Sequence, residues 1–178
     1  MAAEFLTDVE TLRTRARAEI EKGPITEAYL ADRERVIEVL NAALATEIVC
    51  WLRYKRHHFM SAGINEPISQ EFLVHATEEA GHVDQIATRI TQLRGEPDFD
   101  PAGLTARSHA EYVPGTTLEE MVTENLVAER IAIATYQEIA RWLAEDDPTT
   151  RGMIESILAV EEEHADDLLG MLEGLHRH

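Results

Sequence analysis

Four glutamates and two histidines recur in this chain at spacings that suit the holding of two metal ions. The densest stretch is Val160 to Asp167, "VEEEHADD", where three glutamates, a histidine and two aspartates sit between apolar runs. Residues three, four and seven apart share a helix face. For Glu161 those neighbours are Ile154, Ile157, Leu158, His164, Ala165 and Leu168, so Glu161 and His164 are expected to point inward. Glu162 lies off that stripe, and Glu163 shares its face with Ser156, Asp166, Asp167 and Gly170, so these acids are expected to face water. The same test places Glu79 among Phe72, Ala76, His82, Val83 and Ile86, and Glu47 among Leu40, Ala43, Leu44, Trp51 and Tyr54. Glu129 falls among Val122, Leu126, Ile133 and Tyr136, whereas Glu124 is rotated away from that stripe.

One Glu-x-x-His carries little weight, since about one match arises by chance in a chain this acidic; Glu173 to His176, near the end of the chain, is read as such a match. The register is more telling. Glu47 and Glu79 are 32 residues apart, and so are Glu129 and Glu161. Tyr54 and Tyr136 each follow a glutamate by seven residues, and His82 and His164 each follow one by three. Duplication of a helix pair accounts for the repeat. Four buried carboxylates without partners would be costly. Arginines or lysines could neutralise them, but such residues are nearly absent from these faces. Two divalent cations would balance four negative charges and give each histidine a bond, as in dimetal carboxylate sites of helical bundles.

The elements that must position these residues are helical throughout, with no alternating strand pattern. A short helix is expected within residues 4–23, closed by Gly23-Pro24. The first long helix runs from about Asp32 to Ser61. The second opens near Asn65 and Pro67 and runs to Arg94, stopped by Gly95 and Pro97. "GEPDFDPAGLTARSHAEYVPGTT" then forms a long crossover. The third long helix starts at a capping box, Thr117 to Glu120, and the fourth is capped by Asp147, opened by Pro148 and reaches about Gly174. The fold class is therefore all-α: an antiparallel four-helix bundle over residues 31–178, with one long crossover between its second and third helices, after an N-terminal helical extension over 1–30.

The chain's 178 residues suffice for one domain with a sizeable core. Its formal net charge of −18 disfavours unaided binding to nucleic acid or anionic lipid. One cysteine, Cys50, excludes an intramolecular disulfide framework and a four-cysteine metal site. With no apolar run long enough to span a membrane and no secretory pattern in "MAAEFLTDVE", a cytoplasmic protein is expected.

On these residues the chain resembles the ferritin superfamily, and the bacterioferritins in particular, over about residues 36–172. "LNAALATEIVCWLRY", "ATEEAGHVDQIATRI", "LEEMVTENLVAER" and "ILAVEEEHADDLL" are similar to the four helices of that family. The resemblance implies a ferroxidase centre with Glu47, Glu79, His82, Glu129, Glu161 and His164 as ligands of two iron ions per subunit. It makes Glu79 and Glu161 the bridges, and Tyr54 an electron donor beside the metals. Bacterioferritins carry a haem-ligating methionine directly after the first bridging glutamate; here that residue is Ala80, so no haem is expected. Fourteen residues follow His164, the length of the rest of the fourth helix, so the fifth helix of ferritins is not expected. That departure resembles the starvation-protection (Dps-like) mini-ferritins and implies a closed cage of twelve subunits rather than twenty-four. Trp142, parts of the long crossover, or Phe5, Leu6, Val9 and Leu12 of the extension would serve its contacts.

The implied function is Fe(II) oxidation with dioxygen or peroxide, followed by iron storage and detoxification. The alternatives are a Dps-like DNA-protecting protein and a small di-iron or di-manganese oxidoreductase; iron, manganese and zinc all suit the ligand set. Cys50 reads as a buried structural thiol. His57 and His58, near the negative end of their helix, read as surface residues. Arg13, Arg15 and Arg17 read as a solvated face, since Glu10, Glu19 and Glu21 flank them.

Overall fold

A computed structural model describes residues 7–177. The chain divides into two compact units, Met1–Leu30 and Ala31–His178. In the first, helix α1 (Val9–Ala18) starts at Asp8, whose carboxylate accepts from the N–H groups of Glu10 and Thr11. A turn of 3₁₀ helix, Ile20–Lys22, follows, and Gly23 takes the positive φ that ends it. The helix is thus shorter than the sequence suggested and contains no buried residue. Val9 and Leu12 are exposed, and Phe5 and Leu6 lie outside the described residues. Arg13 and Arg15 pair with Glu10 and Glu27 on an open surface.

The second unit is built from α2 (Arg33–Ser61), α3 (Glu66–Gln92), the short α4 (Leu104–Arg107), α5 (Leu118–Leu143) and α6 (Pro148–His176). Each long helix starts where a side chain satisfies a free backbone N–H. Asp32 accepts from Arg35, Asn65 from Ile68, and Asp147 from Thr150, while Thr117 and Glu120 form a reciprocal box. Four-residue links join α2 to α3 and α5 to α6, so each pair forms an antiparallel hairpin, and α2–α5 and α3–α6 contacts join the hairpins. At the end of α3, Arg94 adopts a φ of 65° and the Gly95 N–H donates to Ile90. A Cβ on Gly95 would meet the Ile37 side chain at 2.8 Å, which is why glycine stands there. The fourth long helix runs two residues further than expected, and His176 contacts Glu119 on an open surface, away from the bundle core.

The crossover is not a free loop. It contains a 3₁₀ turn, Pro101–Gly103, and α4, and it is strapped along α2. Asn41 bonds Glu96 and Asp98, Thr46 accepts from the His109 N–H, and Arg53 donates to the Glu111 carbonyl at 2.8 Å. His57 donates to the Pro114 carbonyl at 2.9 Å. This strap corrects one expectation: His57 is fully buried, because the crossover covers the helix end on which it sits. His58 stays partly exposed and bonds Ser69. Cys50 is buried beside Ala110 and Ala128, and burial pushes its thiol up, as befits an inert structural residue.

At the other end of the bundle, Arg89 is buried and donates to Thr150 Oγ1 at 2.7 Å and to Asp147 Oδ1 at 2.9 Å. Asp147 thus caps α6 and neutralises a cation from α3. Asp147→Ala removes both roles and strands the guanidinium, which costs about 3–5 kcal/mol. The expected result is a clear fall in the urea midpoint, with Asp147→Asn losing less because it keeps the cap. Equal stability of Asp147→Ala and the parent would refute this.

Candidate metal centre

Helix periodicity turns Glu47 from α2, Glu79 and His82 from α3, Glu129 from α5, and Glu161 and His164 from α6 into one interior space. All six are at most 4% exposed. Their ligand atoms form two overlapping groups: Glu47, Glu79, His82 and Glu161, and then Glu79, Glu129, Glu161 and His164. Within each group one atom per residue lies within 4.8 Å of all the others, and Glu79 and Glu161 belong to both. His82 Nδ1 is 3.1 Å from Glu47, 3.0 Å from Glu161 and 3.8 Å from Glu79. His164 Nδ1 is 3.3 Å from Glu161, 3.8 Å from Glu79 and 4.0 Å from Glu129. Among the described residues, the ion-pair partners of the four glutamates are histidines alone; Arg53 and Arg89, though buried, bond elsewhere.

Many of these atoms satisfy no hydrogen bond. Glu79 Oε1, Glu129 Oε2, both oxygens of Glu161 and His164 Nδ1 are buried without a partner. His82 Nδ1, 3.0 Å from Glu161, has its hydrogen bond to Glu47 Oε2 at 3.1 Å. Acceptors that converge without donors need either protons or cations. Carboxylate oxygens and imidazole nitrogens together suit divalent first-row metals.

Two tyrosines complete the arrangement in a crossed pattern. Tyr54 of α2 donates to Glu129 of α5, and Tyr136 of α5 donates to Glu47 of α2. Outside the cluster, His164 Nε2 donates to Glu78 Oε2 at 2.8 Å, which fixes its other nitrogen, Nδ1, as the one aimed inward. The His75 ring stacks on His164 at 4.0 Å between centroids. The six residues expected as ligands are therefore brought together, with Tyr54 joined to them through Glu129, while Glu124 is absent from both groups. Three neighbours were not singled out for the site. Tyr136 was visible only as part of the repeat. His75, four residues before Glu79, carried a signal, since that spacing puts it on the inner face. Glu78 carried none.

The metal-free electrostatics are strained. Burial, and then the Glu161 charge, raises Glu79 and Glu129 well above the ordinary carboxylate range and Glu47 to about 6. Burial also pushes Glu161 up, but His164 and His82 outweigh it and hold the group at about 2. Burial lowers His82, yet the surrounding Glu161, Glu47 and Glu79 carboxylates lift it to about 12. Protons thus stand in for cations in the metal-free protein.

The sign of the pH dependence follows from these shifts. Glu79 and Glu129 keep protons in the fold that the unfolded chain loses above 4.5, so their contribution is full below that value and fades as pH rises. The His82 contribution is full below 6.5 and fades toward about 12. Glu161 acts oppositely, but only below 4.5, and His57 and His75, lowered by burial to about 4 and about 3, act oppositely only below 6.5. The metal-free protein should therefore weaken from about pH 6.5 to about pH 8, and Zn²⁺ should raise Tm more at the higher pH. Calorimetry in buffers of different ionisation heat should show proton release on binding. Equal Tm gains at both pH values, with no proton release, would contradict this picture.

Comparison with known proteins places the chain among related folds. The family model described as a ferritin-like domain matches residues 37–177. A solved dodecameric thioferritin, the bacterioferritin-related protein of Bacteroides fragilis, is 34% identical. It superposes with a TM-score of 0.79, covering 83% of this chain and 90% of that one. The bacterioferritin of Rhodobacter capsulatus, solved with a metal-free dinuclear site and haem iron, is 28% identical. Its TM-score is 0.71, over 81% of this chain and 87% of that one. The DNA protection during starvation protein of Pyrococcus furiosus is 29% identical over 137 residues, 75% of this chain and 74% of that protein.

Proposed function

The chain belongs to the ferritin-like family, and on that footing we propose that it oxidises Fe(II) at the six-residue cluster and stores the product in a closed homo-oligomeric cage. One observation carries the reading: two overlapping ligand groups share Glu79 and Glu161, and their buried oxygens lack donors. Fe(II) is the substrate. Glu47 and His82 would hold one ion, Glu129 and His164 the other, with Glu79 and Glu161 between them. A pair of Fe(II) ions gives up two electrons, which with two protons convert dioxygen to hydrogen peroxide, or peroxide to two waters. Burial of the cluster keeps the oxidant from bulk solvent while this happens. The hydrogen bonds from Tyr54 and Tyr136 hold Glu129 and Glu47 in place.

Similarity to a starvation-protection protein fits the same activity, since removing Fe(II) is itself protective. A net charge of −18 opposes direct, unaided binding to DNA. The absence of haem is part of the proposal, because Ala80 follows Glu79 and offers no ligand.

Glu129→Ala should slow Fe(II) oxidation by about 10- to 100-fold, while Glu124→Ala leaves the rate nearly unchanged. Stopped-flow absorbance of the ferric product measures both, and equal losses would show that the α5 ligand is misassigned. The same preparations test the assembly. Light scattering should give a mass near twelve subunits, as in the 34% identical relative, and the spectrum should show no Soret band after expression with ample haem. A stable dimer, a mass near twenty-four subunits, or a haem per two subunits would overturn these parts.

A further inference from the structure

Beside the six-residue cluster lies a second convergence of ligand atoms with a different make-up. We propose that Glu71, His75 and Asp167 form a separate mononuclear site for a divalent first-row cation, at the bundle surface between α3 and α6. It stands on its own geometry and does not require the ferroxidase reading.

The buried member is His75, whose side chain is 1% exposed. Its Nε2 is buried without a hydrogen-bond partner and points between Glu71 Oε1 and Asp167 Oδ2, each 3.7 Å away. One atom from each of the three residues lies within 4.8 Å of the other two. The proton on His75 can be located by following the hydrogen bonds. Tyr54 gives its hydroxyl proton to Glu129, so toward His75 its oxygen can only accept. The 3.3 Å contact between His75 Nδ1 and that oxygen therefore places the ring proton on Nδ1. Nε2 is left as a bare lone pair facing two carboxylates. Three acceptors meet there with no donor among them, at a separation too long for hydrogen bonds.

That separation suits metal ligands. Bonds of about 2.1 Å in a tetrahedral site put neighbouring ligand atoms about 3.4 Å apart, so the two 3.7 Å separations from His75 Nε2 need close by only a few tenths of an ångström. Glu71 and Asp167 are 38% and 47% exposed, so a cation can reach the site and water can fill its remaining position. An imidazole with two carboxylates favours Fe(II), Zn²⁺, Co²⁺ or Mn²⁺ over Ca²⁺ and Mg²⁺, which take oxygen ligands.

The internal repeat argues against a packing role. The two halves are offset by 82 residues, from Glu47 to Glu129 and from Glu79 to Glu161. By that offset His75 corresponds to Ile157, Glu71 to Met153 and Asp167 to Gln85. Ile157 is fully buried, so the scaffold accepts an aliphatic side chain at this position. A buried imidazole costs desolvation that isoleucine does not. Stacking on His164 uses the ring face and leaves Nε2 unexplained. Ligation explains both the histidine and the two acids that appear with it in one half only. The site also touches the larger cluster twice, by the stacked ring and by the His75–Tyr54–Glu129 chain of hydrogen bonds.

The test uses the full-length assembled protein stripped of metal, with Zn²⁺ and Co²⁺ as probes. Calorimetry with Zn²⁺ should resolve one binding event per subunit that Glu71→Gln, His75→Gln and Asp167→Asn each weaken by at least about tenfold. Glu71 and Asp167 lie at the surface, so their variants keep the fold. His75→Gln leaves formal charge unchanged and so separates ligation from general attraction to acids. Co²⁺ should give a visible band that disappears in the same three variants. In His82→Ala combined with Glu161→Gln the Zn²⁺ event and the Co²⁺ band should both persist, which separates this site from the six-residue cluster. The proposal is overturned if no event or band responds to the three variants, or if the response vanishes in the His82→Ala, Glu161→Gln protein.

Discussion

Four carboxylates inside a helical core must be neutralised, and much of the rest of the structure answers that demand. In water each charge would be solvated; here the four are at most 1% exposed. Burying one unpaired charge costs several kcal/mol, more than most single contacts return. His82, lifted by the surrounding carboxylates to about 12, offsets part of the charge, and burial raises Glu79 and Glu129 so that protons on them offset more. Divalent cations would displace those protons and satisfy the orphaned oxygens together. A site built to need cations can bind them tightly without contributing to the stability of the empty fold.

The duplication explains how four helices meet this demand with few specialised residues. One helix pair supplies a glutamate and a tyrosine from its first helix, and a Glu-x-x-His from its second. Pairing two copies puts each tyrosine on the glutamate of the other copy, so Tyr54 reaches Glu129 and Tyr136 reaches Glu47. These crossed bonds span α2 and α5 at the cluster itself, and they hold both terminal carboxylates in fixed positions. A positioned ligand loses less freedom when metal arrives, which raises affinity.

The bundle and the cluster were legible in the sequence because both depend on local periodicity. A glutamate three, four and seven residues from leucines and isoleucines must face inward if the helix packs at all. The caps at Asp32, Asn65, Thr117 and Asp147 are equally local, and the helix starts agree with them. Contacts between segments distant in sequence were not legible. His57 is buried by Pro114, Arg53 is held by Asn125 and Glu111, and Glu78 meets His164 across 86 positions of the chain. Helix periodicity says which face a residue occupies, not which loop will cover it.

The crossover also explains why the two halves, alike at the cluster, differ around it. By the 82-residue offset, Arg53 corresponds to Thr135 and His57 to Ile139. Among the described residues the crossover is strapped to α2, where it presents the carbonyls of Glu111 and Pro114. An arginine and a histidine on the facing helix donate to these carbonyls. Polar residues thus entered the first half where a backbone segment required them. His75 breaks the same symmetry without such a cause, since no backbone acceptor meets its free nitrogen. What faces that nitrogen is two carboxylates, so the difference must be sought in what those three groups can hold together.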